Sequence, residues 1–434
     1  MQNWQKNDQL PVDEITSIQE QKLLELMEHV YYHSAYYRHA MDEEGLTPDK
    51  INGITDLKHL PFTTKEDLRA NYPYQMAAVE MEDIVRIHAS SGTTGKPVVM
   101  GYTEEDMAEW SQAVARACSI AGVTRRDIAQ ISFGYGLFTG GFGLHQGLEK
   151  LGAAVVPFSS GNTERQLKLM KDFQTSVLVS TPSFALYMAE AARDNNIDPA
   201  SYNLHLGLFG GEPCSEPMRQ EIEDQWQITA TLNYGLTEVI GPGVSGECPQ
   251  QQGMHLLEDC FIAEIIDPQT GAPLPAGETG ELVLTPLIKK GFPVLRYRTG
   301  DITRIIPEPC SCGRTLRRMD YVTGRTDDML IVKGVNIFPS QVEEILGDFK
   351  EVSPHYQLIV HRKKGFIKDL EIQVELTDAG FSDSFREMEH LEDRIRQHLR
   401  SSLSLAPKLK LMNPKSLERT TGKSRRIIEI EGDE

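Results

Sequence analysis

Between positions 90 and 97 the chain carries Ser90-Ser91-Gly92-Thr93-Thr94-Gly95-Lys96-Pro97. Small hydroxyl side chains and two glycines let backbone amides and OH groups converge on phosphate oxygens, and Lys96 adds a positive charge. It is not a Walker A loop. Only two residues separate the glycines, and Pro97 stands where the Mg²⁺-binding Ser or Thr belongs. Taken alone, such a run serves equally well as a surface loop. A second chemistry is suggested by Cys310-Ser311-Cys312, with Cys248 and His255 upstream. Two close thiolates, a distant Cys and a His compose a tetrahedral Cys₃His zinc set, with Cys260 as the rival ligand. Four protein ligands leave no open position for a water nucleophile, so such a metal would be structural. Cys118 and Cys214 have no comparable partners; no His base stands at readable spacing from Cys214, which argues against a nucleophilic thiol. Residues 132–141, SFGYGLFTGG, offer rings with glycine-made space beside them. Phe133, Tyr135 and Phe138 would serve equally as core.

These groups need elements to position them. Apolar runs at 153–158, 177–179, 204–209 and 228–232 alternate with helical stretches such as 165–173 and 183–193. Buried strands alternating with helices predict an α/β domain with a mostly parallel sheet. Gly210-Gly211-Glu212 and Asn233-Tyr234-Gly235 then fall at carboxyl ends of strands, where functional loops of such sheets gather. Residues 14–40 have helical periodicity through Leu23, Leu26, Met27, Val30 and Tyr31. Thr63 and Glu66 are placed to form a capping box. Residues 262–306 are β-rich, with a hairpin turn at 267–271. Leu370 to Leu376 alternates as a half-buried strand, and 388–403 has helical character. A boundary at 325/326 therefore separates a large N-terminal α/β domain with a small β subdomain (1–325) from a small α+β C-terminal domain (326–434).

The 434 residues, 40% hydrophobic and 25% charged, suit a soluble protein of at least two domains. Forty-four Lys and Arg against 63 Asp and Glu give a net charge of −19, which argues against nucleic acid as a partner. No run of 18 apolar residues suggests a membrane span, and the polar N-terminus is unlike a secretory signal, so the expected location is cytoplasmic. Six cysteines in a chain this long do not suggest a disulfide scaffold.

Five further segments accompany the glycine loop: Tyr234-Gly235-Leu236-Thr237-Glu238, Tyr297-Arg298-Thr299-Gly300-Asp301, Gly324-Arg325-Thr326-Asp327-Asp328-Met329, Lys333-Gly334-Val335-Asn336 and Thr420-Thr421-Gly422-Lys423. In this order and spacing, the set resembles the motifs of the acyl-adenylate-forming superfamily. Residues 61–73 (PFTTKEDLRANYP), Gly210-Gly211-Glu212-Pro213, the Cys-Ser-Cys-Gly-Arg run and the short chain resemble its phenylacetate-CoA ligases.

The resemblance implies a two-step reaction. A carboxylate attacks the α-phosphate of ATP, releasing pyrophosphate, and the thiol of coenzyme A then displaces AMP. Ser90, Ser91, Gly92, Thr93, Thr94, Gly95 and Lys96 would hold the β- and γ-phosphates. Glu238 would bind Mg²⁺, Thr237 the α-phosphate, and Asp301 and Arg325 the ribose. Gly211, Glu212, Pro213, Tyr234 and Gly235 would frame the adenine. Lys423 would act in adenylation, and Asp327 would be the hinge of a mobile C-terminal domain that brings Lys333 and Gly334 towards coenzyme A. Tyr135 and Phe138, with Gly211 and Gly235, would line the acid pocket, an aryl-acetic acid being the first expectation. A homodimer is also implied by the resemblance. Singly, Asp301 would pass for a solvated turn residue and Lys423 for one more cation in a basic tail. The alternatives are another acid such as benzoate or indole-acetate, coenzyme F390 synthetase-like adenylation, a P-loop kinase, and a non-catalytic zinc-stabilised binding protein. The kinase would need the missing Gly-Lys-Ser/Thr.

Overall fold

The computed structural model describes residues 3–90, 97–326, 330–332, 335–363, 366–382, 384–403, 405–419 and 426–431. These fall into two compact units. One comprises 1–180, 202–211 and 228–321; the other comprises 181–201, 212–227 and 322–434.

The first unit is built on a nine-stranded sheet. Its parallel part runs Ala154–Val156, Ile128–Ile131, Val177–Ser180, Leu206–Phe209 and Thr229–Leu236. Val177–Ser180 and Leu206–Phe209 are buried at every position, which is why they read as continuous apolar runs rather than alternating ones. The sheet continues antiparallel through Gly241–Glu247 and Met254–Leu256. Helices Glu104–Ala121 and Thr139–Leu151 pack on one another and against Gly241–Glu247. Their approach depends on Gly147, where an added Cβ would lie 2.3 Å from Val114 Cγ1. A second, antiparallel sheet holds Phe261–Ile266, Gly280–Pro286 and Tyr297–Thr303. Asp267 closes the expected turn, its carboxylate accepting from the amides of Gln269 and Thr270.

Local expectations shift in three places. The helix expected over 14–40 is two, Val12–His33 and Ala35–Glu43, because Ser34 takes an extended ψ of 115°. The cap of helix Lys65–Ala70 is Thr64 with Asp67, not Thr63 with Glu66. Thr63 is instead buried, its hydroxyl donating to Leu295 O at 2.7 Å and meeting Tyr37 Oη at 2.9 Å. Finally, Asn233-Tyr234-Gly235 lies within strand Thr229–Leu236, and the turn begins only at Thr237.

In the second unit a four-stranded sheet runs Lys408–Met412, Phe366–Leu376, Val352–Lys363 and Ile427–Glu431. Leu370, Ile372, Val374 and Leu376 point into its core, as their period of two requires. Helix Phe385–Leu403 adds Leu391, Ile395, Leu399 and Leu403 to that core at helical spacing. Helices Pro182–Asp194 and Glu216–Trp226 belong to the same unit and are joined by Trp226 Nε1 donating to Ala185 O at 3.0 Å.

Candidate active site and metal centre

Strand Ile84–Ala89 leads into the glycine loop and Val99–Thr103 leads out of it. The two strands pair antiparallel, and Ser90 N donates to Val98 O at 2.9 Å, closing the base of the loop. Ser90 Oγ is buried with no hydrogen-bond partner among the described residues. Ser91, Gly92, Thr93, Thr94, Gly95 and Lys96 lie outside the described residues, as do Asp327, Lys333, Gly334 and Lys423.

At the carboxyl ends of two neighbouring parallel strands stand Gly211, left-handed at φ 82°, and Tyr234. Asn233 Nδ2 donates to Phe209 O at 2.8 Å and ties the two strand ends together. Tyr234 Oη donates to Asp301 Oδ2 at 2.6 Å, so residues 67 positions apart meet. Gly235 is required where it stands: a Cβ there would come within 1.9 Å of Gly241 O. Asp301 is 5% exposed, and its strand, Tyr297–Thr303, is held by Glu281, which accepts from Arg298 Nε at 3.0 Å and Gly300 N at 3.1 Å. Sequence reasoning missed Glu281; it lies near the start of a strand buried at every position, and a lone Glu beside a glycine gives no local sign of that burial.

Thr237 and Glu238 occupy the turn after Thr229–Leu236 and are both buried. Thr237 Oγ1 meets Thr139 Oγ1 at 3.1 Å. Tyr135 packs edge-on to Phe142, with ring centroids 5.2 Å apart, and its hydroxyl meets His145 Nδ1 at 3.1 Å. Burial pushes the Tyr135 phenol above its ordinary range. Phe138 is half exposed beside it. Leu137 O accepts from both Ala89 N and His88 Nδ1 at 3.0 Å, which ties the aromatic segment to the strand entering the glycine loop.

In the second unit Glu212 Oε1 accepts from Ser183 N at 2.7 Å. Pro213 follows it, and Arg325 forms a short strand with Gly324. A cavity of about 350 Å³ is lined by Ser183, Tyr187, His355, Arg419 and Arg426 among others. Arg419 and Arg426 flank, in sequence, the segment that contains Lys423. Burial, with Arg419 beside it, holds His355 down at about 3, so that imidazole is neutral at physiological pH.

The cysteine and histidine set converges. Cys248, His255, Cys310 and Cys312 offer ligand atoms that all lie within 4.8 Å of one another. Cys248 and Cys310 Sγ are 3.7 Å apart, close to the ~3.8 Å edge of a tetrahedron with 2.3 Å zinc–sulfur bonds. His255 Nδ1 sits 3.2 Å from Leu316 O, a pure acceptor, so Nδ1 carries the proton and the Nε2 lone pair faces Cys312 Sγ at 3.3 Å. Burial lowers His255 to about 4, leaving the neutral imidazole a metal needs. Burial also disfavours the Cys312 thiolate, but hydrogen bonds from Arg314 outweigh it and pull that thiol down. Cys260 is elsewhere: it is buried 3.8 Å from Arg116 Nη1, inside an ion cluster of Arg116 with Asp8 and Asp259. The donor set therefore fits zinc without Cys260.

Residues 9–286 match the AMP-binding enzyme family, and residues 334–430 match the AMP-binding enzyme C-terminal domain. The chain is 43% identical to the phenylacetate-coenzyme A ligase of Thermus thermophilus, covering 97% of this chain and 98% of that one. It is 44% identical to the phenylacetate-coenzyme A ligase of Escherichia coli, covering 96% and 95%. Among solved structures, 2-hydroxyisobutyryl-CoA ligase in the postadenylation state with 2-HIB-AMP is 25% identical, with a TM-score of 0.92 over 98% of this chain and 92% of that one. The same ligase with 2-HIB-AMP and CoA in the thioesterification state gives a TM-score of 0.72 over the same shares. The fold is that of adenylate-forming enzymes, and within them the chain belongs to the phenylacetate-CoA ligase family. It is an AMP-forming acid–CoA ligase that uses ATP, a carboxylic acid and coenzyme A.

Proposed function

We propose that the acid is an aryl-acetic acid of the phenylacetate type. Identity of 43–44% to phenylacetate-coenzyme A ligases over nearly the whole chain carries this reading. The Tyr135–Phe142 pair, with half-exposed Phe138, supports it by offering ring edges and faces to an aromatic acid. Benzoate, indole-acetate or a coenzyme F390 synthetase-like acceptor would change the acid or acceptor but not the first half-reaction.

Adenylation brings anions together, so the protein's work is positioning and charge neutralisation. Ser90 to Lys96 hold the outer phosphates and then pyrophosphate; the orphaned Ser90 hydroxyl is a donor in waiting. Asp301, fixed by Tyr234 in a strand held by Glu281, accepts from the ribose hydroxyls, and Arg325 also binds the ribose. Gly211, Glu212 and Pro213 frame the adenine with Tyr234 and Gly235. Thr237 donates to the α-phosphate. Glu238 is the carboxylate that would hold Mg²⁺, which neutralises phosphate charge when bound. Lys423 acts in adenylation only. A hinge at Asp327, on a 325/326 boundary, lets the C-terminal domain turn and present Lys333 and Gly334 to coenzyme A.

Cys248, His255, Cys310 and Cys312 would hold a structural zinc, whose contribution is to tie loops that no disulfide closes. The reading extends to a cytoplasmic homodimer, which light scattering at a single chain mass would remove.

The test measures pyrophosphate and AMP release from ATP and Mg²⁺ with a panel of aromatic and aliphatic acids, with and without coenzyme A. We expect phenylacetate-dependent pyrophosphate, coenzyme A-dependent AMP, and loss of pyrophosphate release in Lys423→Ala. A stronger response to benzoate or to an aliphatic acid would reassign the substrate.

A further inference from the structure

Lys289 is wholly buried in the segment that follows strand Gly280–Pro286. Its Nζ donates to the backbone carbonyl of Glu238 at 3.4 Å and lies 4.7 Å from the centroid of the Tyr102 ring. Asp106 and Glu238 are the carboxylates that act on it, and they do so through space rather than by contact. Tyr102 is buried as well, stacked on Trp110 at 5.1 Å, and its hydroxyl donates to Ile240 O at 2.9 Å. The turn 237–240 is thus gripped at Glu238 O by Lys289, at Ile240 O by Tyr102, and at the Thr237 hydroxyl by Thr139.

Burying an ammonium without a carboxylate in contact is expensive, and a methionine would fill the same space more cheaply. Burial drags the amine down to about 7, against the upward pull of Asp106 and Glu238. Among the described residues, the hydrogen bond of Lys289 goes to the backbone of the residue whose carboxylate faces the phosphates in the reading above.

We propose that Lys289 is a positioning residue for the adenylation half-reaction: seated on the Tyr102 ring and at the Glu238 carbonyl, its ammonium holds the turn so that the Glu238 carboxylate and Thr237 hydroxyl meet ATP in one fixed arrangement. It contacts no substrate and acts through Glu238, so the inference rests on the assignment of Glu238 to the metal-bound phosphates. That role matters while ATP and Mg²⁺ are present. It should matter little once the acyl-adenylate exists and pyrophosphate has left.

The experiment compares two half-reactions in the full-length enzyme, using the best acid of the panel and its synthetic acyl-adenylate. Acid-dependent ATP–pyrophosphate exchange reports the first step, and coenzyme A-dependent AMP release from the supplied adenylate reports the second. Lys289→Met is expected to slow exchange by roughly 10- to 100-fold, the usual effect of a small misplacement of catalytic groups, and to raise the Mg²⁺ needed for half-maximal exchange. AMP release should stay near the parent rate. Lys289→Gln, which keeps an N–H donor for the Glu238 carbonyl, should fall between parent and Met. If Lys289→Met does not fold, Lys289→Gln alone carries the comparison. Equal loss of both half-reactions in the lysine variants, or normal exchange, overturns the proposal while selective loss of exchange in Glu238→Gln leaves the Glu238 assignment standing. Normal exchange in Glu238→Gln removes that assignment, and with it the route by which Lys289 acts.

Discussion

His88 shows how far a single side chain can be committed by its surroundings. It is 2% exposed, its Nδ1 donates to Leu137 O, and the rings of Tyr102, Trp110 and Phe142 stand edge-on around it. Burial, with Arg86 and Lys289 nearby, lowers its pKa, while the Leu137 carbonyl opposes the shift. The sign follows: the unfolded chain takes up a proton as pH falls through ~6.5, and the folded chain does so only at lower pH. Stability supplied by neutral His88 is therefore present at pH 7 and declines as pH drops below ~6.5. His88→Asn, which keeps a donor for Leu137 but cannot titrate, should flatten that decline. Urea unfolding at several pH values between 7 and 5 reads it, and an unchanged slope would refute it.

Capping carries more of the site than its name suggests. Thr103 and Asp106 form a capping box at the start of helix Glu104–Ala121. Asp106 has a second duty, accepting from Lys290 N at 2.7 Å and Gly291 N at 3.0 Å. One buried carboxylate thus joins a helix N-terminus to the segment that delivers Lys289. Asp106→Ala removes the cap and strands two amides, so we expect a loss of about 3 kcal/mol in unfolding free energy. Thr103→Ala, which removes one cap bond and leaves the Asp106 contacts, should lose about 1 kcal/mol. Equal losses would show that the Lys290 and Gly291 contacts are energetically silent.

Over the whole molecule, the loop that carries Cys310 and Cys312 is linked to Asp8 near the N-terminus. Arg314 lies beside Cys312 and 3.7 Å from Asp8, while Thr315 N donates to Asp8 O at 3.0 Å. Asp8 in turn pairs with buried Arg116 at 2.8 Å. Removing a zinc held by the proposed Cys/His set should therefore loosen more than its own loop. Elemental analysis is expected to find about one zinc per chain, as a closed four-ligand site holds one ion. Chelation or Cys310→Ser should lower Tm and make the N-terminal segment more accessible to protease. No zinc, or an unaltered Tm after chelation, would dismiss the site. Among the described residues no helix is long and apolar enough to cross a membrane.

Much of this was legible from local chemistry. The alternation from Leu370 to Leu376, the apolar strands of the parallel sheet and the Cys310–Cys312 pair are properties of short windows, where backbone period and ligand type restrict the outcome. The cap slipped by one residue because Thr63 and Thr64 are equivalent locally; Tyr37 and Leu295 claim the first. Cys260 competed as a ligand until Arg116 and Asp259 enclosed it. The Tyr234–Asp301 bond and the seat of Lys289 under Glu238 join residues 67 and 51 positions apart. In the sequence Lys289 is simply the first of two adjacent lysines. Only packing distinguishes them, since it buries Lys289 and leaves Lys290 bonded to exposed Glu105. A one-dimensional pattern specifies which face of an element is apolar, whereas desolvation and partner choice depend on what the other elements bring to that face.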